Sequence, residues 1–290
     1  MEPVITEKTV GKYRFIIKDN TLLLREKIYS RTVKIGGNYQ DCVSVSIKFN
    51  DENQPESAYI PHIMYDPDCS VDIKLDRGEG SIIMIKTLFD YIHKEIPTIS
   101  EINFEDKSNI ECATDEEISK GSRFRKKGTN VYPIPLYYFS IAFNGKTWYE
   151  KHFNARQKDK DKHIAYKEKV SYVLNSKELK TNTSFFQFLQ MSRPSIEFIE
   201  ELEKYFNASD TFGELFQMIP KDDRCRIVRD WISIFMEHHL KDVFDNKNWI
   251  IEIPITIKGG KRNTKKYYCP KCRIKRIMTC KDYGVDITNI

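Results

Sequence analysis

The stretch Leu75, Asp76, Arg77, Gly78, Glu79, Gly80, Ser81, Ile82 constrains this chain most, because a glycine-punctuated turn runs straight into helical spacing at Ile82, Ile85, Leu88, Phe89 and Ile92. Residues 70–75 before it and 100–104 after it read as strands, with Ser81 available as an N-cap. A strand, a turn, a helix and a strand of this length normally form a crossover between parallel strands. Two glycines let the backbone approach a ligand, and the free N–H groups of a helix start favour an anion there. Anion binding at a helix start is therefore the first functional expectation.

The segments around this unit define the rest of the fold. Residues 13–17, 43–49 and 58–65 alternate as strands, and the turn-rich residues 50–55 between the last two predict a hairpin. Residues 106–130 are polar and read as a long loop, whereas the continuous apolar run 136–143 suits a strand buried on both faces. From 146 to 175, and again from 183 to 243, the spacing is helical, with Ile227, Val228, Trp231, Ile234 and Phe235 forming one stripe. Residues 249–257 return to alternation, interrupted by Pro254. The expected fold is an α/β (α+β) domain over 1–175, a mixed and partly antiparallel sheet flanked by helices. A helical extension over 176–257 and a basic tail over 258–290 follow.

Charge is uneven along the chain. Residues 258–281 carry ten Lys and Arg and no acid, which leaves 37 basic residues against 42 acidic ones elsewhere. Such a tail, interleaved with Tyr267 and Tyr268, can track a nucleic-acid backbone, dock on an acidic protein surface or stay solvated. It also holds Cys269, Cys272 and Cys280; the C-x-x-C pair reads either as two ligands of a structural zinc or as reduced surface thiols. A fourth zinc ligand would come from His238, His239 or Cys225. Cys42, Cys69, Cys112 and Cys225 stand singly in the sequence, so the expectation is a reducing, cytoplasmic compartment without a disulfide framework. No apolar run approaches the length of a membrane span, and the first residues lack a signal-peptide pattern.

Two of these segments resemble the Gcn5-related N-acetyltransferase family. Its signature, Arg or Gln, two residues, Gly, one residue, then Gly or Ala, sits between a strand and a helix, and Arg77, Gly78, Glu79, Gly80 and Ser81 match its opening. Ile82 stands where the family has Gly or Ala. The segment Asn144, Gly145, Lys146, Thr147, Trp148, Tyr149, Glu150, Lys151, His152, Phe153 is similar to the family's second motif, without its closing Gly. The resemblance implies an acetyl-coenzyme A loop at residues 77–82 and a coenzyme contact at Asn144. Tyr149 would then be the proton donor to the leaving thiolate and Glu105, at a strand end, the general base toward a small-molecule or protein amine. Composition and the second motif look like acetyltransferase-like proteins of large DNA viruses, which would place the chain in host cytoplasm or a virion. The competing expectation is an inactive member of this fold that binds nucleic acid or virion components through its tail.

Overall fold

The computed structural model describes residues 2–112, 133–194 and 196–255. Five strands open the chain: β1 (Val4–Val10), β2 (Tyr13–Leu24), β3 (Lys27–Gly36), β4 (Asp41–Phe49) and β5 (Pro55–Ile63). Each pairs antiparallel with the next through a short turn. The predicted hairpin at 50–54 forms because Asn50 Oδ1 accepts the amides of Glu52 and Gln54 at 3.0 and 2.8 Å, an Asx turn. The chain then crosses the sheet as α1 (Glu79–Glu95) and returns as β6 (Glu101–Phe104), which pairs parallel with β5. The crossover is as expected, although its first strand is β5 and not residues 70–75.

Residues 70–75 form no strand. A 3₁₀ turn, Pro67–Cys69, capped by the Asp66 side chain, leads them across the end of the sheet, where the Val71 amide donates to the Arg14 carbonyl at 2.9 Å. Arg14 also grips Asp72 through two bonds of 2.8 and 2.6 Å. Three apolar residues in alternation cannot compete with these local ties.

The remaining elements are β7 (Asn109–Glu111), β8 (Pro133–Pro135), α2 (Leu136–Asn144), α3 (Trp148–Phe153), β9 (Arg156–Gln157), α4 (Lys160–Asn175), α5 (Lys177–Thr181), α6 (Phe185–Ser192), α7 (Ile199–Ala208), α8 (Phe212–Met218), α9 (Arg224–Val228), α10 (Ile232–Leu240) and β10 (Trp249–Glu252). The main sheet has eight strands in the order β1-β2-β3-β4-β5-β6-β10-β9, and β5–β6 is its one parallel pair. The helices α4 to α10 are therefore inserted between two neighbouring strands, and Met1–Ile255 is one unit. They close on a nest of Phe188, Phe206, Phe212, Phe216, Trp231 and Phe235, all but Phe206 at 0 % exposure.

The run 136–143 is the helix α2, a correction to the expected strand. Continuous hydrophobicity serves a helix packed on several sides equally well, and α2 lies against α3, α8 and α10. It ends at Gly145 in the left-handed region, whose amide donates to the Ile141 carbonyl at 2.8 Å.

One face of the sheet is covered. The register sets Ile17 of β2 opposite Ile35 of β3, and Val33 and Ile35 opposite Val45 and Val43 of β4; these residues, with Phe15 and Ile47, are all buried. Onto this face α1 sets Ile85, Leu88, Phe89 and Ile92, each worth about 1.5–3 kcal/mol in removal from water. A polar clamp orients the helix: Arg31 donates to both oxygens of Asp19 at 2.8 and 2.5 Å, and Tyr91 Oη donates to the same carboxylate at 3.0 Å.

All four solitary cysteines of the described residues are paired, Cys42 with Cys69 and Cys112 with Cys225, at Cα separations of 5.9 and 5.3 Å. The expectation of a reducing compartment rested on their standing alone and loses that basis. Cys225 is likewise removed as a zinc ligand. The Cys112–Cys225 bond closes a loop with a sequence separation of 113 residues. On the chain-entropy account, Cys112→Ala with Cys225→Ala should lower the unfolding free energy by about 4–5 kcal/mol. Denaturant titration with and without reductant checks this: reduction should cost the parent about 8 kcal/mol, since both bonds are cut, and the double variant about 3.5 kcal/mol, the share of Cys42–Cys69 alone.

Candidate functional site

The turn at 77–82 begins α1. Gly78 has φ of +85°, a conformation that L side chains rarely adopt, and α1 has no side-chain cap. Gly80 is required by packing: a Cβ there would meet the Leu75 side chain at 2.9 Å and Tyr13 Oη at 3.3 Å. Tyr65 Oη donates to the Leu75 carbonyl at 3.1 Å, and the Arg77 guanidinium lies 5.9 Å from the Tyr65 ring centroid. Arg77 makes no ion pair among the described residues. Asp76 is engaged by Lys12 at 2.5 Å and by Tyr13 Oη at 2.7 Å. Ser81 is partly exposed, Glu79 is an acid in the first turn, and Ile82 packs toward the core. The arrangement is a helix start without a side-chain cap, beside a cation that forms no ion pair among the described residues.

The second group of expected residues lies elsewhere at the same end of the sheet. Beyond the register pairs Tyr59–Asn103 and Ile60–Phe104, β5 and β6 share no further rung, and among the described residues no strand pairs with Pro61 to Ile63 on that side of β5. Past β6, Glu105 is held by Lys107 at 2.7 Å. Asn144 ends α2 on the surface, where its Oδ1 accepts from Lys151 Nζ at 3.2 Å. Tyr149 descends from α3 onto β6, its ring centroid 4.7 Å from that of Phe104, and its hydroxyl lies 3.1 Å from Ser108 Oγ. A capping box, Thr147 with Glu150, fixes where α3 starts and therefore where Tyr149 points. No hydrogen bond, ion pair or ring contact among the described residues joins 77–82 to Glu105, Asn144 or Tyr149.

The residue that sequence reasoning missed is Asp106, next to Glu105. It is 2 % exposed, and its backbone is tied to Asn246 by two bonds, Asp106 amide to Asn246 carbonyl at 2.7 Å and Asn246 Nδ2 to Asp106 carbonyl at 3.2 Å. Its Oδ1 accepts the Ser108 amide at 3.1 Å, and among the described residues no Lys, Arg or His pairs with it. Burial pushes its carboxyl up to about 7, against the partial relief of the Ser108 bonds. The signal in the sequence is an Asx pattern, Asp106-Lys107-Ser108, which by itself reads only as a turn. Burial, and then the Asp106 charge, push the Tyr149 phenol up as well, so the ordinary phenol acidity expected for it is not what the site provides. His152, near Tyr149 in sequence, is held neutral: burial and then Lys151 push it down to about 4. The cluster Asp106, Ser108, Tyr149 can store one proton near neutral pH and pass it along a hydroxyl.

The metal expectation falls mostly outside the described residues, as Cys269, Cys272, Cys280 and the basic segment 258–281 all do. Among the described residues no group of His, Cys, Asp and Glu is arranged to hold a metal ion, and no helix is long and apolar enough to cross a membrane. His238 and His239 end α10 with rings 5.0 Å apart, and burial pushes His239 down to about 4.

Because the Asp106 carboxyl is raised on folding, its stabilising contribution is present in full below about pH 4 and is lost as pH rises through about 7. Asp106→Asn removes that loss, so the variant should be more stable than the parent by about 2–4 kcal/mol at pH 8 and nearly equal at acid pH. Chemical denaturation at both pH values measures the gap; a gap that does not widen with pH contradicts the raised carboxyl. No known protein family, curated protein or solved structure matches this chain, so the functional reading rests on its own geometry.

Proposed function

We propose that this protein is an N-acetyltransferase that passes an acetyl group from acetyl-coenzyme A to an amine. The observation that carries the reading is the parallel pair β5–β6, which among the described residues stops after two register pairs, at the point where the chain leaves β6 for Asp106 and Ser108, the latter 3.1 Å from Tyr149.

The residues present fit the coenzyme in three respects. The first-turn amides of α1 lack a side-chain cap, Arg77 is a cation without an anionic partner among the described residues, and Pro61 to Ile63 offer main-chain groups to an extended arm. Asp76 stands nearby, but Lys12 and Tyr13 already take its charge, which holds its carboxyl below the ordinary range. The coenzyme would supply an acetyl group activated as a thioester. Arg77 and the amides of Glu79, Gly80 and Ser81 would hold its phosphates, with Ile82 behind them in the core.

The chain's own residues handle the protons. Direct attack requires a neutral amine, and Asp106, with a carboxyl near 7, can take the proton of an ammonium at neutral pH. Tyr149 remains protonated throughout that range and can give its phenolic proton to a departing sulfur. Ser108 Oγ, 3.1 Å from Tyr149 Oη and on the residue whose amide binds Asp106, can return the proton from Asp106 to Tyr149. The second nitrogen proton leaves to solvent, so the count closes at one proton on the thiol and one released. Glu105, paired with Lys107, is less suited to the base role than its neighbour.

Calorimetric titration with acetyl-coenzyme A tests the reading. The expected result is saturable binding that Arg77→Ala weakens by about tenfold, the worth of one charge-assisted phosphate bond. No detectable heat at millimolar ligand overturns the assignment. With a bound donor, Tyr149→Phe should lower transfer by about a hundredfold without changing coenzyme affinity.

A further inference from the structure

We propose that the groove between α6 and α10 is a docking site for an acidic, extended peptide segment of a partner protein. The groove shares no residue with the turn at 77–82 or with Asp106, Ser108 and Tyr149, so the inference stands apart from the transferase reading.

Two helix faces form the walls of a groove of about 720 Å³. Gln187, Gln190 and Met191 follow the i, i+3, i+4 spacing on α6, and Ile234, Glu237, His238 and Lys241 follow i, i+3, i+4, i+7 along α10 and one residue past its end. Beneath them Phe188 of α6 and Phe235 of α10, both buried, have ring centroids 5.8 Å apart, which fixes the two faces against each other. The core side of α10 is supplied by Ile232, Phe235, Met236 and Leu240. Ile234, 40 % exposed, therefore lies on the groove side, with Met191 on the facing helix as a second, adaptable apolar contact.

The charges give the sign of the occupant. Arg193 and Lys241 are exposed and form no ion pair among the described residues. Arg193 is fixed at the end of α6, where its amide donates to the Leu189 carbonyl at 2.8 Å. Glu237 opposes these two cations with a single charge, and it is not paired with Lys241 although the two stand four residues apart. A carboxylate can take a bidentate bond from Arg193 and the charge of Lys241.

The neutral groups point to a polypeptide. The side-chain amides of Asn182 and Gln190 make no hydrogen bond among the described residues, and an amide offers a peptide unit both a donor and an acceptor. No Phe, Tyr or Trp lines the groove, so a nucleic-acid strand would find no aromatic face of that kind for its bases. The chain's own segment 258–281, with ten Lys and Arg and no acid, carries the wrong charge to fill it.

Fluorescence anisotropy of a labelled, end-capped peptide alternating leucine and glutamate tests the site, titrated with the full chain at about 0.15 M salt to screen long-range attraction. Saturable binding is expected, weakened about fivefold by Arg193→Gln and by Lys241→Gln, the upper range for one exposed ion pair, and tightened about threefold by Glu237→Gln. All three side chains are exposed, and circular dichroism verifies that the variants fold; Lys241→Gln alone decides if the left-handed backbone at Arg193 does not tolerate the change. No saturation, or equal binding of a peptide alternating leucine and lysine, overturns the proposal. An affinity unchanged by the Arg193 and Lys241 substitutions overturns it too, since the peptide is then held by the basic segment. Binding of polyuridylate with the same dependence on Arg193 and Lys241 replaces the peptide by a nucleic acid and overturns it as well.

Discussion

The pair of hydrogen bonds between Asp106 and Asn246 joins residues separated by 140 positions, and the arrangement of the molecule around β6 depends on it. It fixes the loop just before β10 against the end of β6. From there β10 enters the sheet with Trp249 opposite Phe104 and Ile251 opposite Ile102, which closes the helical insertion back onto the strands. The same loop carries Phe244, whose ring touches Tyr137, Tyr138, Tyr166 and Trp249. Placement of the aromatic wall and placement of the buried carboxylate are thus one event. Such a contact forms late and at a cost in chain entropy, and the adjacent antiparallel rungs of β10 offset that cost.

What could be read in the sequence follows the range of the interaction responsible. The hairpin at 50–54 and the helix expected from Ser81 to Glu95 were legible, because the Asx turn at Asn50 and the 3.6-residue spacing of α1 are local; the N-cap is Gly78 and not Ser81, so the helix starts two residues earlier. The run 136–143 was not, since a strand and a helix buried on several sides have the same apolar composition and only the neighbours α3, α8 and α10 decide. Residues 70–75 failed for the opposite reason. A weak alternation there is overruled by ties to Arg14 and by the Cys42–Cys69 bond, none of which is local.

The candidate site divides in the same way. Arg77, Gly78 and Gly80 were visible as a turn, and the turn exists, but Gly80 is explained by Leu75 and Tyr13 without any ligand. Tyr149 was singled out from a short motif, and the capping box that aims it is written in Thr147 and Glu150. Asp106 was invisible because nothing about an aspartate at a strand end distinguishes burial from exposure. Its neighbour Glu105 carries the more prominent position and the ordinary role of pairing with Lys107. The two follow one another past the end of β6, Glu105 half-buried against Lys107 and Asp106 buried.

A carboxylate buried without a counter-ion persists only where the backbone around it cannot withdraw. Segment 106–112 is held at one end by Asn246 and at the other by the bond from Cys112 to Cys225 on α9, so both anchors lie on the helical insertion and its return. Between them the β7 strand is pinned again by β8, and the Leu136 amide donates to the Ser108 carbonyl at 2.8 Å. With both ends fixed and the middle paired, the segment holds Asp106 in its buried position. Removing the charge, or supplying a cation, is then the accessible way to lower the energy of the site. That asymmetry is what lifts the carboxyl to about 7: the fold holds Asp106 in place, and uptake of a proton relieves what hydration would otherwise have relieved.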